Sequence, residues 1–237
     1  MKTQTYLYQA GDLKCQGYYA LAKESNSIVL IAPTWEGINH FAKDIAHELA
    51  CRGYDAFVAD LYGEGKVASS KEEAASFMTP LFLDRSLLRM RILSAFHEAK
   101  KLKQKIAAIG FCFGGLTVIE LLKSGTALSG VVSFHGTLSD TFFGKKAKLA
   151  PMAKEIQSSL LLIHGYRDPL VPITDVLKLQ QQLDEAKVEW QTIIYGSAAH
   201  SFTNPEAKDT ENGMYYEPIA CSRSKIALYN YLQERFT

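Results

Sequence analysis

The run Ile106-Ala107-Ala108-Ile109-Gly110-Phe111-Cys112-Phe113-Gly114-Gly115 constrains this chain more than any other stretch. Its apolar first half reads as a strand buried on both faces, and a helical pattern begins at once after the glycines. A strand that reverses this sharply into a helix leaves no room for a Cβ at Gly110 or Gly114. The residue between them is forced into a strained backbone and pushed into the open. The motif therefore nominates one atom, the sulfur of Cys112, in the arrangement of a nucleophile elbow with cysteine in place of the usual serine.

Around this motif, apolar runs alternate with helical spacing. Thr3–Tyr8 and Lys14–Ala22 read as two edge strands joined through Gly11-Asp12. Ser27–Ala32 is a continuous apolar strand, and Asn39–Cys51 is a helix stopped by Arg52-Gly53. Asp55–Ala59 is the next strand. Thr79-Pro80 is read as the start of one long helix reaching about Lys103, with proline in its first turn. Ile106–Phe111 leads into the elbow, and a helix runs on through Leu116–Leu122. Gly130–Phe134, Ser159–Ile163 and Val188–Ile194 are further strands, and Ile173–Leu183 and Glu217–Leu232 are helices. No linker or repeat divides the chain, so residues 1–237 are read as a single α/β domain with a mostly parallel central sheet and helices on both faces. In such sheets the site lies at the carboxyl ends of the strands.

Composition narrows the class. The chain has 237 residues, 47% hydrophobic, with Lys+Arg 26 against Asp+Glu 25. A net charge of +1 gives no electrostatic reason to expect nucleic acid or an acidic membrane surface. Lys100-Lys101-x-Lys103-x-Lys105 reads as a solvated helix end. Met1-Lys2-Thr3-Gln4-Thr5-Tyr6 is polar from the start, so neither a signal peptide nor a transmembrane run is read there. Cys15, Cys51, Cys112 and Cys221 are scattered without a CxxC pair. That argues against a disulfide framework or a zinc site and for a cytoplasmic, reducing location. Cys15, Cys51 and Cys221 are expected in or near the core. Neither a metal nor an organic cofactor is expected.

A thiol at an elbow needs a group to take its proton. The strand Leu160-Leu161-Leu162-Ile163 runs into His164-Gly165-Tyr166-Arg167-Asp168-Pro169, and the strand Val188–Ile194 runs into Tyr195-Gly196-Ser197-Ala198-Ala199-His200-Ser201-Phe202. Cys112, Asp168 and His200 thus each follow a different strand, in the order nucleophile, acid, histidine. In this reading His200 shares the Cys112 proton, Asp168 fixes its tautomer, and the N–H of Phe113 is aimed as one oxyanion donor. Asp175 is a rival acid but falls inside the following helix. His135 and His164 read as structural. Trp35, Phe111, Phe113 and Phe202 either line the pocket or pack the core, with Trp35 and Phe202 taken as substrate-binding.

These stretches, with Trp35-Glu36-Gly37 after the third strand, resemble the dienelactone hydrolase family over nearly the whole chain. The resemblance implies an α/β-hydrolase fold and a Cys-Asp-His triad that opens small carboxylic ester or lactone bonds. It also implies a glutamate, here Glu36, that hydrogen-bonds the resting thiol and takes its proton when substrate binds. The loop N–H of Gly37 would then be the second oxyanion donor. Two departures stand out. The family loop commonly reads Glu-x-x-Gly-x-Asn, whereas Glu36-Gly37-Ile38-Asn39 is two residues shorter. The substrate-clamping arginines of the better-known dienelactone enzymes are missing from Ser201–Glu206 and Asp60–Lys66, which leaves Lys66 or Arg85 for that part. Two rival readings use the same scaffold: a non-catalytic binding protein, and a redox thiol cycling through sulfenic acid.

Overall fold

The structure is a computed structural model that describes residues 2–142 and 144–237. Its elements are β1 (Lys2–Ala10), β2 (Leu13–Leu21), β3 (Ser27–Ala32), α1 (His40–Cys51), β4 (Asp55–Val58), α2 (Lys71–Leu83), α3 (Arg85–Leu102), β5 (Lys105–Phe111) and α4 (Phe113–Lys123). There follow β6 (Gly130–Phe134), β7 (Thr141–Phe142), β8 (Lys145–Lys146), β9 (Leu160–Gly165), α5 (Ile173–Glu185), β10 (Trp190–Tyr195), β11 (Lys208–Asp209), β12 (Met214–Tyr215) and α6 (Pro218–Phe236). Eight strands form one sheet in the order β1-β2-β4-β3-β5-β6-β9-β10. β1, β2 and β4 pair antiparallel in turn, and every pair from β4 to β10 is parallel.

Strands β3, β5, β6 and β9 are buried almost throughout, which explains their unbroken apolar sequences. Each sends alternate side chains into two cores. One core packs under α2, α3, α4 and α5, through residues such as Met78, Leu88, Val118 and Leu179. The other packs under α1 and α6, through Ile45, Leu49, Leu228 and Leu232. Both faces are covered, as a parallel sheet requires.

The structure corrects the sequence reading in three places. β2 lies between β1 and β4, so β1 and β10 are the edges. The long helix is two helices. α2 begins earlier, because the Ser70 hydroxyl accepts from the Glu73 N–H at 3.2 Å, and Pro80 sits inside it. The break falls at Asp84, whose backbone is extended (φ −117°, ψ 94°) and whose Oδ1 accepts from the N–H groups of Ser86 and Leu87, starting α3. That extended residue is held by a distant segment, since Lys148 N–H donates to Leu83 O at 2.7 Å and Arg85 N–H to Lys148 O at 3.0 Å. The third concerns Cys51, which is exposed at the end of α1, whereas Cys15 and Cys221 are buried as expected. Among the described residues no helix is long and apolar enough to cross a membrane.

Candidate active site

The elbow forms as a steric necessity. An added Cβ would lie 2.0 Å from Gly114 O at Gly110 and 2.0 Å from Ala32 O at Gly114. At Gly115 it would lie 2.6 Å from Gly136 Cα. β5, the turn and α4 therefore touch backbone to backbone. Cys112 is left at φ 55°, ψ −118°, immediately before α4. It is half-buried and lines an open cleft of about 530 Å³. Its backbone is pinned on both sides, with Cys112 N–H donating to Phe134 O at 3.1 Å and Cys112 O accepting from the N–H of Thr137 at 3.1 Å. The N–H of Phe113, first in α4, donates to no acceptor among the described residues, as the opening of a helix leaves it free.

His200 and Asp168 come from the loops after β10 and β9 and meet below the elbow. His200 Nδ1–H donates to Asp168 Oδ2 at 2.8 Å, with both side chains almost fully buried. The other carboxylate oxygen of Asp168 accepts from the N–H groups of Leu170 (2.9 Å) and Val171 (3.1 Å), which fixes its plane. The His200 loop is held by His200 N–H to Gly213 O (2.9 Å) and Tyr215 N–H to His200 O (3.1 Å). Nε2, the nitrogen turned away from Asp168, has no hydrogen bond of ordinary geometry to the described residues. Burial works against the charged imidazole, but the Cys112 sulfur and the Asp168 carboxylate outweigh it and push His200 up to about 10. Asp175 lies in the first turn of α5 and faces a different cavity.

The loop after β3 departs from expectation. Thr34–Gly37 is a tight turn in which Gly37, at φ +87°, donates its N–H to Thr34 O at 3.1 Å. That donor is spent, so Gly37 is replaced as candidate second oxyanion donor by the central amides of the turn, those of Trp35 and Glu36. Neither makes a hydrogen bond within the described residues. Glu36 lines the cleft with Cys112, but its Oε2 accepts from Asn39 Nδ2 at 2.5 Å, and no hydrogen bond joins it to the thiol. Asn39 is in turn the N-cap of α1, accepting from Ala42 N–H at 3.0 Å. Counted back from Gly37 and Asn39, the spacing Glu-x-x-Gly-x-Asn places Thr34 where the family has its acid. In that register the loop keeps its full length.

Of the aromatic candidates, Trp35 lines the cleft. Phe202 does not. It is fully buried, packed edge-on against His135 (5.3 Å) and Tyr195 (5.9 Å), because the backbone after His200 turns inward toward α6. Phe111 and Phe113 are likewise core. Neither cation considered for the missing arginines reaches the cleft. Lys66 pairs with Glu64 at the surface (3.6 Å), and Arg85 is buried beneath the Phe82 ring on the far side of α4. The cations lining the cleft are Lys71 and Lys208, with Lys71 paired to Asp209 at 3.2 Å across its rim. Composition alone did not single these out, since their places depend on α2 and the β11–β12 hairpin meeting over the site. Among the described residues no group of three or more His, Cys, Asp or Glu side chains is placed to hold a metal.

A nucleophile-type elbow, a carboxylate and a histidine at the carboxyl ends of three strands of this sheet define an α/β-hydrolase. The chain belongs to the dienelactone hydrolase family, whose sequence profile matches residues 15–235, and it is a hydrolase of that kind. The solved structure of the dienelactone hydrolase-like promiscuous phosphotriesterase P91, from metagenomic libraries, superposes with a TM-score of 0.88 at 32% identity, covering 98% of each chain. An uncharacterised Caenorhabditis elegans protein, K02A2.1, is 30% identical over 63% of this chain and 94% of its own length. A Bradyrhizobium protein named "Probable 2-oxo-3-(5-oxofuran-2-ylidene)propanoate lactonase" is 25% identical over 93% of this chain and 91% of its own.

Proposed function

We propose that the protein hydrolyses small carboxylic esters or lactones through Cys112, His200 and Asp168. The observation that carries this reading is the buried His200–Asp168 hydrogen bond beneath the strained Cys112, with His200 pushed up to about 10 by the sulfur and the carboxylate. A histidine that readily holds a proton beside a half-exposed sulfur is the arrangement that generates an attacking thiolate. The thiolate adds to the acyl carbon, and the N–H of Phe113, with an amide of the Thr34–Gly37 turn, holds the oxyanion. The C–O bond breaks as His200 gives its Nε2 proton to the departing alkoxide, leaving an S-acyl Cys112. Neutral His200 then takes a proton from water, which attacks the thioester. The carboxylic acid leaves and the proton is again shared between His200 and Cys112.

Glu36 is proposed to tune this cycle from the cleft wall, exchanging Asn39 for the thiol when substrate displaces it. Trp35 is the apolar wall for the acyl or ring portion. The lactonase relative and the family description support lactones among the substrates.

The test is a panel of p-nitrophenyl acetate, small lactones and one phosphotriester, assayed on wild type, Cys112→Ala and His200→Ala. Both variants are expected to lose at least ~1,000-fold in kcat/KM on the substrates the wild type turns over. Turnover that survives in Cys112→Ala would overturn the assignment of the nucleophile. Glu36→Gln tests the tuning role. An unchanged rate of Cys112 alkylation by iodoacetamide across pH, with and without a bound substrate analogue, would remove Glu36 from it.

A further inference from the structure

His135, the residue after β6, carries three features that the proton path above leaves unused. Its φ is +37°, a conformation that residues with a Cβ seldom adopt. Its ring is buried, with Nδ1 unpartnered and Nε2 2.8 Å from Thr203 Oγ1. Its centroid lies 5.1 Å from that of His200, with the ring planes at 65°. A buried polar ring with half its hydrogen-bonding capacity unused destabilises the fold, and so does the backbone strain. Both costs persist only where the surroundings over-determine them, which is a mark of functional sites.

The surroundings do over-determine this residue. His135 N–H donates to Ile163 O at 2.7 Å. The next residue, Gly136, is wedged against α4, since a Cβ there would sit 3.0 Å from Gly115 C. One residue further, Thr137 N–H holds the carbonyl of Cys112. The same turn therefore grips the nucleophile's backbone and lays a ring against the imidazole. Two titratable groups act on His135: His200, from the loop after β10, and His164, at the end of β9. Burial first, and then these two rings, hold it well below the ordinary histidine range, so it stays neutral. A neutral ring lies beside a charged imidazole without repelling it, and packing at this tilt fixes the plane of the neighbouring ring.

We infer that His135 is the positioning residue for His200. Anchored by Thr203, its ring fixes the tilt of the His200 imidazole so that Nε2 meets the Cys112 sulfur. The inference rests on the triad reading above.

The experiment compares His135→Leu, which removes the ring, His135→Phe, which keeps a ring of similar shape, and Thr203→Val, which removes the anchor. Cys112→Ala sets the background. His135→Leu is expected to lose ~10-fold or more in kcat with KM within about threefold, and to move the alkaline limb of the kcat/KM profile to lower pH by ~0.5 unit or more, as the looser imidazole loses its alignment with the sulfur. His135→Phe is expected to recover most of that loss, and Thr203→Val to show a smaller loss in the same direction. If His135→Leu does not fold, Thr203→Val decides by the same two readouts. A Cys112-dependent rate with wild-type kcat and pH profile in the variants overturns the role of His135 alone. A wild-type rate in Cys112→Ala overturns the triad and this role together.

Discussion

At the scale of single residues, the proposed chemistry depends on how His200 and Cys112 share one proton. His200 is nearly fully buried, a setting that alone would keep it neutral, yet the Cys112 sulfur and Asp168 raise it to about 10. Its ordinary value is near 6.5, so the protonated form persists through neutral pH and is lost only as pH climbs through the raised value. In the proposed reaction the departing alkoxide needs that proton, so kcat/KM is expected to stay level through neutral pH and to fall as pH rises toward ~10. A pH–rate profile checks this, and a rate that keeps rising through pH 10 counts against it. Asp168→Asn removes the carboxylate that orients the ring, so it is expected to lower kcat by about 100- to 10,000-fold and to shift the alkaline limb downward. The hydrogen bonds from Leu170 and Val171 to Asp168 Oδ1 hold that side chain independently of His200, so the variant should keep its fold.

At the scale of elements, the elbow was the most legible part of the chain and the helix boundaries the least. Glycine at 110 and 114 follows from sterics that any sharp strand–helix reversal imposes, so the sequence pattern and the structure agree there. Gly114→Ala is expected to cost about 3 kcal/mol, since a Cβ 2.0 Å from the backbone of β3 cannot be relieved by a side-chain shift. Gly53→Ala makes the contrast. Unlike Gly114, it sits at positive φ (+91°), and nothing lies within 4 Å of its Cβ position. There only the left-handed strain of about 1–2 kcal/mol is expected. Urea midpoints of the two variants measure the difference. The break between α2 and α3 was not legible because Asp84 is a plausible helix residue locally. Its extended backbone is held by the segment at Lys148, a contact sixty-odd positions away along the chain.

At the scale of the molecule, one buried carboxylate ties the antiparallel edge to the loop that walls the cleft. Asp60, after β4, accepts from the N–H groups of Gln16 (2.8 Å), Tyr62 (3.0 Å), Gly63 (2.8 Å) and Gly65 (2.8 Å). Tyr8 of β1 donates its hydroxyl to the Asp60 carbonyl at 3.0 Å. Tyr62, so placed, donates its own hydroxyl to Trp35 O at 2.8 Å, in the turn beside Cys112. Asp60→Ala would orphan all these amides and is expected to destabilise the protein by about 4 kcal/mol. It should also raise KM through the loosened Trp35 turn, which denaturation and steady-state kinetics read separately. The chain alone determined the α/β sheet, the elbow, and the order Cys112, Asp168, His200, because strand burial, the steric demand for glycine and turn chemistry act over a few neighbouring residues. Only the tertiary structure decided that Gly37 spends its N–H on Thr34, that Phe202 turns into the core, that Arg85 lies far from the cleft, and that His135 lies against His200. Those outcomes depend on which distant backbone segments touch, and contacts across the sheet leave no local pattern in the sequence.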